Sequence, residues 1–310
     1  MRGQNNSIDL LKFFSSIAVV GIHSNLFADI NTDIQNFITN GIFRLAVPIF
    51  FILSGFLFNE KNVKKQSIRL LRMCFIWSVI YYYSFSLPLS LNTIVKSLFV
   101  GIHHLWYINA LIICYWCYNR FLTDLKKNEQ ILLALCLFLI GALLQYSRMY
   151  EVHVIFDRTY IYRNFLFVGI PFFILGKILA TDEKFINKVL KILNISLVLS
   201  ILEFGTKKSI GLDIPINSII LAPIIVFKFL NLNVKISKKY LDFGQTSVVI
   251  YLAHPLLILV IQKITNSTIE IFMFTTTLLI LFCLISHRFK NDIESNKYLF
   301  FNKIKLFLKS

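Results

Sequence analysis

The chain has 310 residues, of which 56% are hydrophobic and 15% aromatic, while only 15% are charged, and its mean hydropathy is +0.69. A soluble domain carries about a quarter of its residues as charges and fewer than half as apolar types, so this composition excludes a soluble globule and indicates a membrane protein. The excess of 32 Lys and Arg over 16 Asp and Glu falls in short segments between apolar runs, as expected of cytoplasmic loops facing anionic lipid, which accounts for the charge without nucleic acid.

The first apolar run, Ile8 to Phe27, is longer than the core of a signal peptide. It carries Asp9, Lys12 and His23 and is followed by no small-x-small cleavage site, so it reads as a first membrane span. Asp9, Lys12, Ser16 and His23 stand at offsets 0, 3, 7 and 14, which places them on one stripe of a helix. Lys12 and His23 are then about 16 Å apart along the axis, the lysine in the cytoplasmic third and the histidine nearer the outer surface. Ionisable groups at membrane depth are costly and mark function, although a snorkelling lysine and a histidine at a helix interface would give the same pattern.

The second run contains Arg44 and then Pro48 to Phe56, V-P-I-F-F-I-L-S-G-F from Val47. Pro48 frees a carbonyl one turn back and bends the helix, while Ser54 and Gly55 permit close helix contact. Arg69 and Arg72 follow a Lys-rich inner loop and put two guanidinium groups three residues apart at a helix start. That spacing suits phosphate, and it also suits plain positive-inside anchoring. Residues 88–103 read as an outer re-entrant or interfacial segment. His104-Leu105-Trp106-Tyr107 then opens a span at the outer interface, where Trp and Tyr form aromatic belts. Cys114 and Cys117 spell C-x-x-C inside an apolar run, and with five cysteines and no second pair to complete a zinc set they read as packing residues. Late in the chain, Ser247, Tyr251 and His254 fall at offsets 0, 4 and 7, again one helix face, and Pro255 follows.

At about 20 residues per crossing, the apolar runs predict an all-α polytopic membrane protein. Its ten spans lie near 7–27, 41–58, 68–87, 104–119, 130–146, 162–180, 189–204, 214–230, 245–264 and 269–286, followed by a basic tail over about 287–310. With both termini cytoplasmic, 24 Lys and Arg fall on inner segments and 8 on outer ones, a strong positive-inside signal. No internal repeat and no linker divides the chain, so residues 1–310 read as a single transmembrane domain.

Taken in order, these segments resemble the acyltransferase 3 family of integral membrane acyltransferases, which modify carbohydrates, lipids and cell-envelope polymers. The resemblance rests on I-D-L-L-K with His23 eleven residues after Lys12, the V-P-I-F-F-I-L-S-G-F block, R-x-x-R at Arg69 and Arg72, H-L-W-Y-I from His104, N-F-L-F-V-G-I-P-F-F-I-L-G from Asn164, and S-x-x-x-Y-x-x-H-P from Ser247. One departure is that Lys12 stands where the family usually has arginine, keeping the charge but not the two-pronged guanidinium. No extracytoplasmic hydrolase-like domain of the kind some members carry is expected.

The resemblance implies an O-acetyltransferase of a bacterial plasma membrane. Acetyl-CoA or a related acyl thioester would serve as donor, a sugar hydroxyl of an envelope or surface polysaccharide as acceptor, and no cofactor or metal would be permanently bound. Acyl transfer needs a base for the hydroxyl proton and donors for the developing oxyanion. His23 is the candidate base or covalent carrier, with Lys12 and Asp9 on its stripe. Arg69, Arg72 and Lys12 are candidates for the donor's phosphates, and Arg44, Trp106, Tyr251 and His254 for the acceptor. A transporter or flippase of an envelope glycan or small polar substrate, in which the same buried charges line a translocation path, stays open on the residues alone. So does a non-catalytic scaffold.

Overall fold

The computed structural model describes residues 6–88, 90, 101–149, 158–204, 213–232, 234 and 241–307. Among them the regular structure is all helical, with no strand. Each of the ten apolar runs forms a helix: α1 (Asn6–His23), α2 (Ala46–Leu57), α3 (Val63–Ser84), α4 (Trp106–Cys117), α5 (Lys127–Met149), α6 (Ile170–Thr181), then the short amphipathic α7 (Glu183–Leu190), α8 (Leu193–Phe204), α9 (Ser218–Leu230), α10 (Phe243–Ile261) and α11 (Thr268–Phe307). Among the described residues, four stretches are long and apolar enough to cross a bilayer by themselves, namely Thr32–Leu57, Lys127–Arg148, Phe243–Ile261 and Thr268–Asn291. The expected outer segment 88–103 lies mostly outside the described residues, as do Lys96, Lys207, Lys208, Lys235, Lys238 and Lys239 from the charge distribution. The stretch expected as a basic tail continues α11 to Phe307, since residues 269–307 contain neither Gly nor Pro to stop a helix.

The bundle turns an apolar belt outward. On α5, Leu132, Leu135, Leu139 and Leu143 are exposed, a stripe at helical spacing that in water would be a large unpartnered patch and in lipid is simply solvated. The same holds for Met273, Phe274, Leu278 and Phe282 on α11. Inside, α2 packs most extensively on α6, and α1 on α10. The α2–α6 crossing is set by glycine: a Cβ at Gly55 would overlap the Phe173 carbonyl oxygen, and one at Gly176 would overlap that of Ile52. Backbone thus meets backbone, the close approach that small residues permit.

Two local features differ from a run of plain helices. Pro48 lies in the first turn of α2, where its missing N–H leaves no gap, and the irregularity stands one turn earlier, in the 3-10 turn Ile42–Leu45 that carries Arg44. At the other end of the cavity described below, α1 stops at His23 because Asn25 adopts φ 51°. Leu26 N–H bonds to the Gly21 carbonyl at 3.0 Å and Asn25 N–H to that of Ile22 at 3.2 Å, the paired bonds of a Schellman stop. Backbone contacts therefore fix His23 as the last helical residue.

Candidate active site

A cavity of about 200 Å³ opens between α1, α2, α4 and α10 and the segments bearing Arg163 and Asp213; His23, Arg44, His103, His104, Trp106, Tyr107, Arg163, Asp213 and Tyr251 supply its polar and aromatic lining. The rest of the wall, Val19, Ile22, Val47, Phe50 and Ile214, is apolar, so charge in the cavity is weakly screened. His23 is exposed, and it is to this cavity that it is open.

Three histidines meet there. The ring centroid of His23 is 5.1 Å from that of His254 and 6.0 Å from that of His104, and the last two are 4.8 Å apart. Their tautomers are assigned from their partners. His254 is fully buried, and its Nδ1 lies 2.9 Å from the Ile250 carbonyl, which can only accept, so Nδ1 carries the proton. Its Nε2 is then a lone pair, buried with no partner among the described residues. Tyr81 donates its hydroxyl proton to the Leu252 carbonyl, so the 3.3 Å contact between its oxygen and His104 Nε2 is one in which the histidine donates. His104 Nδ1 is likewise a buried lone pair without a partner. Buried polar atoms are rarely left unpaired, and two acceptors of this kind in histidines packed on a third point to a donor that arrives during function.

The aromatic wall is tied to the same residues. Tyr251 donates to the His104 carbonyl at 2.7 Å, and Tyr107 and Ser54 bond through their hydroxyls at 3.0 Å. Gly101, at φ 85°, and His103, at φ 49°, turn the chain left-handed into the 3-10 turn that carries His104. A side chain at Gly101 would strike the Trp106 backbone, so this approach requires glycine.

At the rim, Asp213 Oδ1 accepts from Arg44 at 2.8 Å and Arg163 at 3.1 Å, and its Oδ2 accepts from Tyr162 at 2.9 Å. Burial opposes a charge on Asp213, but the two guanidinium groups and the Tyr162 hydroxyl outweigh it and hold the carboxyl below the usual carboxylate range. Gln145 clasps the next residue, Ile214, through both its backbone N–H and carbonyl. Arg163 also stacks 5.5 Å over the Trp106 ring.

The residues singled out in the sequence divide into three groups. His23, Arg44, Trp106 and Tyr251 line this cavity, and His254 packs directly behind it. Asp9 and Lys12 do not line it: they pair with each other at 3.8 Å near the start of α1, and the Asp9 carboxylate rests against Gly244 at the start of α10, where free N–H groups favour an anion. Arg69 and Arg72 are exposed and line a separate open groove of about 860 Å³ with Lys61, Lys64 and Lys65. His104, Tyr107, Arg163 and Asp213 were not selected by sequence reasoning. Only the H-L-W-Y run pointed toward His104, and nothing local marks Arg163 or Asp213. Among the described residues, no three His, Cys, Asp or Glu side chains are placed to hold a metal ion.

Comparison with known proteins agrees with the segments that carried the resemblance. An amino-acid racemase of Enterococcus faecalis is 29% identical over 161 residues, covering 46% of this chain and 23% of the relative. A serine/alanine racemase of Enterococcus gallinarum is 24% identical over 286 residues, covering 81% of this chain and 40% of the relative. The chain thus spans less than half the length of either curated relative. No solved structure matches. The acyltransferase 3 family model, described as an acyltransferase domain, matches residues 5–287, which takes in α1 to α10, the three-histidine cavity and the groove with Arg69 and Arg72, and the chain belongs to that family of membrane acyltransferases.

Proposed function

We propose that this protein is an O-acetyltransferase that moves an acetyl group from acetyl-CoA to a hydroxyl of a cell-envelope or surface polysaccharide, working in a bacterial plasma membrane as one transmembrane unit over residues 1–310. The observation that carries the reading is the exposure of His23 to a low-dielectric cavity beside two buried, unpartnered histidine lone pairs. The acceptor hydroxyl gives its proton to His23 as its oxygen bonds to the thioester carbonyl carbon. The C–S bond then breaks, and the coenzyme A thiolate leaves and takes that proton back. His254 Nε2 and His104 Nδ1 are the acceptors that meet the imidazolium formed in between, so they favour the charged intermediate state over the resting one. Radiolabelled acetyl-CoA incubated with the purified protein and candidate sugars tests the activity. Label on a sugar hydroxyl is expected, and sugar flux across a vesicle membrane without label transfer would replace the enzyme with a transporter. The racemase names of the two relatives describe proteins of which this chain matches only the smaller part, and racemisation is not carried over.

The donor is assigned to the cytoplasmic end. The basic groove at the start of α3, with Arg69 and Arg72, supports phosphate binding, and Lys12, about three turns before the histidines on α1, is a further candidate for the donor's phosphates. Arg69→Ala and Arg72→Ala are each expected to raise the apparent donor constant about ten- to hundred-fold, the loss of one charge-assisted contact. Titration of the detergent-purified variants with coenzyme A checks this. Wild-type affinity in both, with altered insertion instead, would leave these arginines as membrane anchors.

Ten crossings with both termini cytoplasmic are part of the same proposal, and the 24 to 8 charge distribution supports them. In a background with the five native cysteines replaced, a cysteine at position 64 is expected to label from the inside and one between Asp29 and Asn40 from the outside. Outside labelling at 64 would overturn the orientation.

A further inference from the structure

The rim of the cavity holds more positive charge than its own counterion occupies. Among the described residues that line it, Arg44 and Arg163 are the guanidinium groups and Asp213 the carboxylate. Both arginines reach the same oxygen, Oδ1, each through Nη1, while Tyr162 takes Oδ2 and is itself held by Arg148 at 2.7 Å. A guanidinium offers five N–H donors in a rigid fork that matches two oxygens side by side. Here neither fork closes on both oxygens of Asp213, and Arg44 Nε is buried with no partner among the described residues. Any oxygen acceptor could take a bond from that donor, but only an anion would also balance the second guanidinium charge.

We propose that this cavity binds an acceptor bearing an anionic group, a carboxylate or a phosphate, which engages Arg44 and Arg163 in place of Asp213. The proposal rests on the acceptor role given to the cavity above. Asp213 acts as the internal counterion that keeps the arginines charged and oriented in the empty site, and stacking on Trp106 holds the Arg163 plane. The apolar wall strengthens the attraction by excluding water. At about 200 Å³ the cavity is smaller than the usual range of about 300–1,000 Å³ for ligand pockets. It therefore suits one small unit, such as a single acidic sugar residue or a short hydroxy acid, with any longer chain left outside.

Thermal unfolding of the purified full-length protein, measured at constant ionic strength with D-glucuronate, D-glucose 6-phosphate, D-glucose or chloride, tests this. A rise with glucuronate or with glucose 6-phosphate, and none with glucose or chloride, is expected, and the anion that responds identifies the chemistry. In Asp213→Asn the same anion should half-saturate at about a tenfold lower concentration or less, because one competing charge-assisted contact is gone. A purely structural Asp213 predicts no gain. In Arg44→Gln the response should vanish. Should Asp213→Asn not fold, Arg163→Gln is expected to lose the response relative to its own baseline. Wild-type protein that ignores both anions, or Asp213→Asn binding them more weakly, overturns the proposal. Acetyl transfer to neutral sugars, assayed in parallel, shows whether the acyltransferase reading stands when the anion site fails. Anion-specific stabilisation without transfer to any acceptor shows the reverse.

Discussion

Replacing His23 by alanine is expected to lower acyl transfer by about 10²–10⁴-fold, the range contributed by a positioned general base, with the protein still folded and inserted. The structure supports separating the two effects. His23 ends α1 and opens into the cavity, and the turn beyond it is closed by backbone bonds from Asn25 and Leu26 and by Thr39, whose hydroxyl donates to the Leu26 carbonyl at 2.8 Å. None of these needs the imidazole. His254→Leu is a useful companion, because it removes the acceptor of the ring packed beside His23 while leaving His23 in place. A loss smaller than that of His23→Ala, in kcat more than in donor KM, is expected of a group that meets only the imidazolium. The reading falls if single-turnover transfer by His23→Ala, measured on protein with wild-type thermal unfolding, runs near the normal rate.

The sequence made part of this site legible, and the reason lies in helix periodicity. Asp9, Lys12, Ser16 and His23 share a stripe of α1, and so do Ser247, Tyr251 and His254 on α10, because a face repeats every turn. Periodicity does not say how far along the axis a neighbour reaches. The stripe on α1 serves two regions: Asp9 and Lys12 form a charge pair at one end, Ser16 turns back to the Phe13 carbonyl at 2.7 Å, and only His23 enters the cavity. Lys12, which replaces the family's arginine, thus lies about three turns from the three histidines, so its missing fork bears on the donor end rather than on proton transfer. Arg44, Arg163 and Asp213 are separated by 169 and 50 positions, and they meet only when α2, α6 and α9 pack. No local pattern encodes such a meeting. His104 escaped for another reason: its neighbours Trp106 and Tyr107 have the composition of an interfacial belt, and the composition is the same whether such a turn faces lipid or a cavity.

Gly55 and Gly176 show how that packing supports the site, and their substitution is expected to have the second large effect. Each places its missing side chain against a carbonyl oxygen of the other helix, Phe173 for Gly55 and Ile52 for Gly176. The clash is with main chain, which no rotamer change relieves, so α2 and α6 must move apart. Overpacking of a closed core costs about 1–3 kcal/mol and occasionally more, and a clash with backbone belongs at the upper end of that range. The consequence reaches the cavity through α2: Phe50 lines it, and Ser54, beside Gly55, bonds the Tyr107 hydroxyl that also reaches the Phe50 carbonyl at 3.3 Å. Gly176→Ala is therefore expected to lower the unfolding temperature by several degrees and to weaken acceptor use in the fraction that remains folded. Donor affinity at the α3 groove should change little, because that groove is lined from α3 and the turn before it. Equal stability of Gly176→Ala and wild type by thermal unfolding in detergent would show that the α2–α6 contact is looser than these backbones place it.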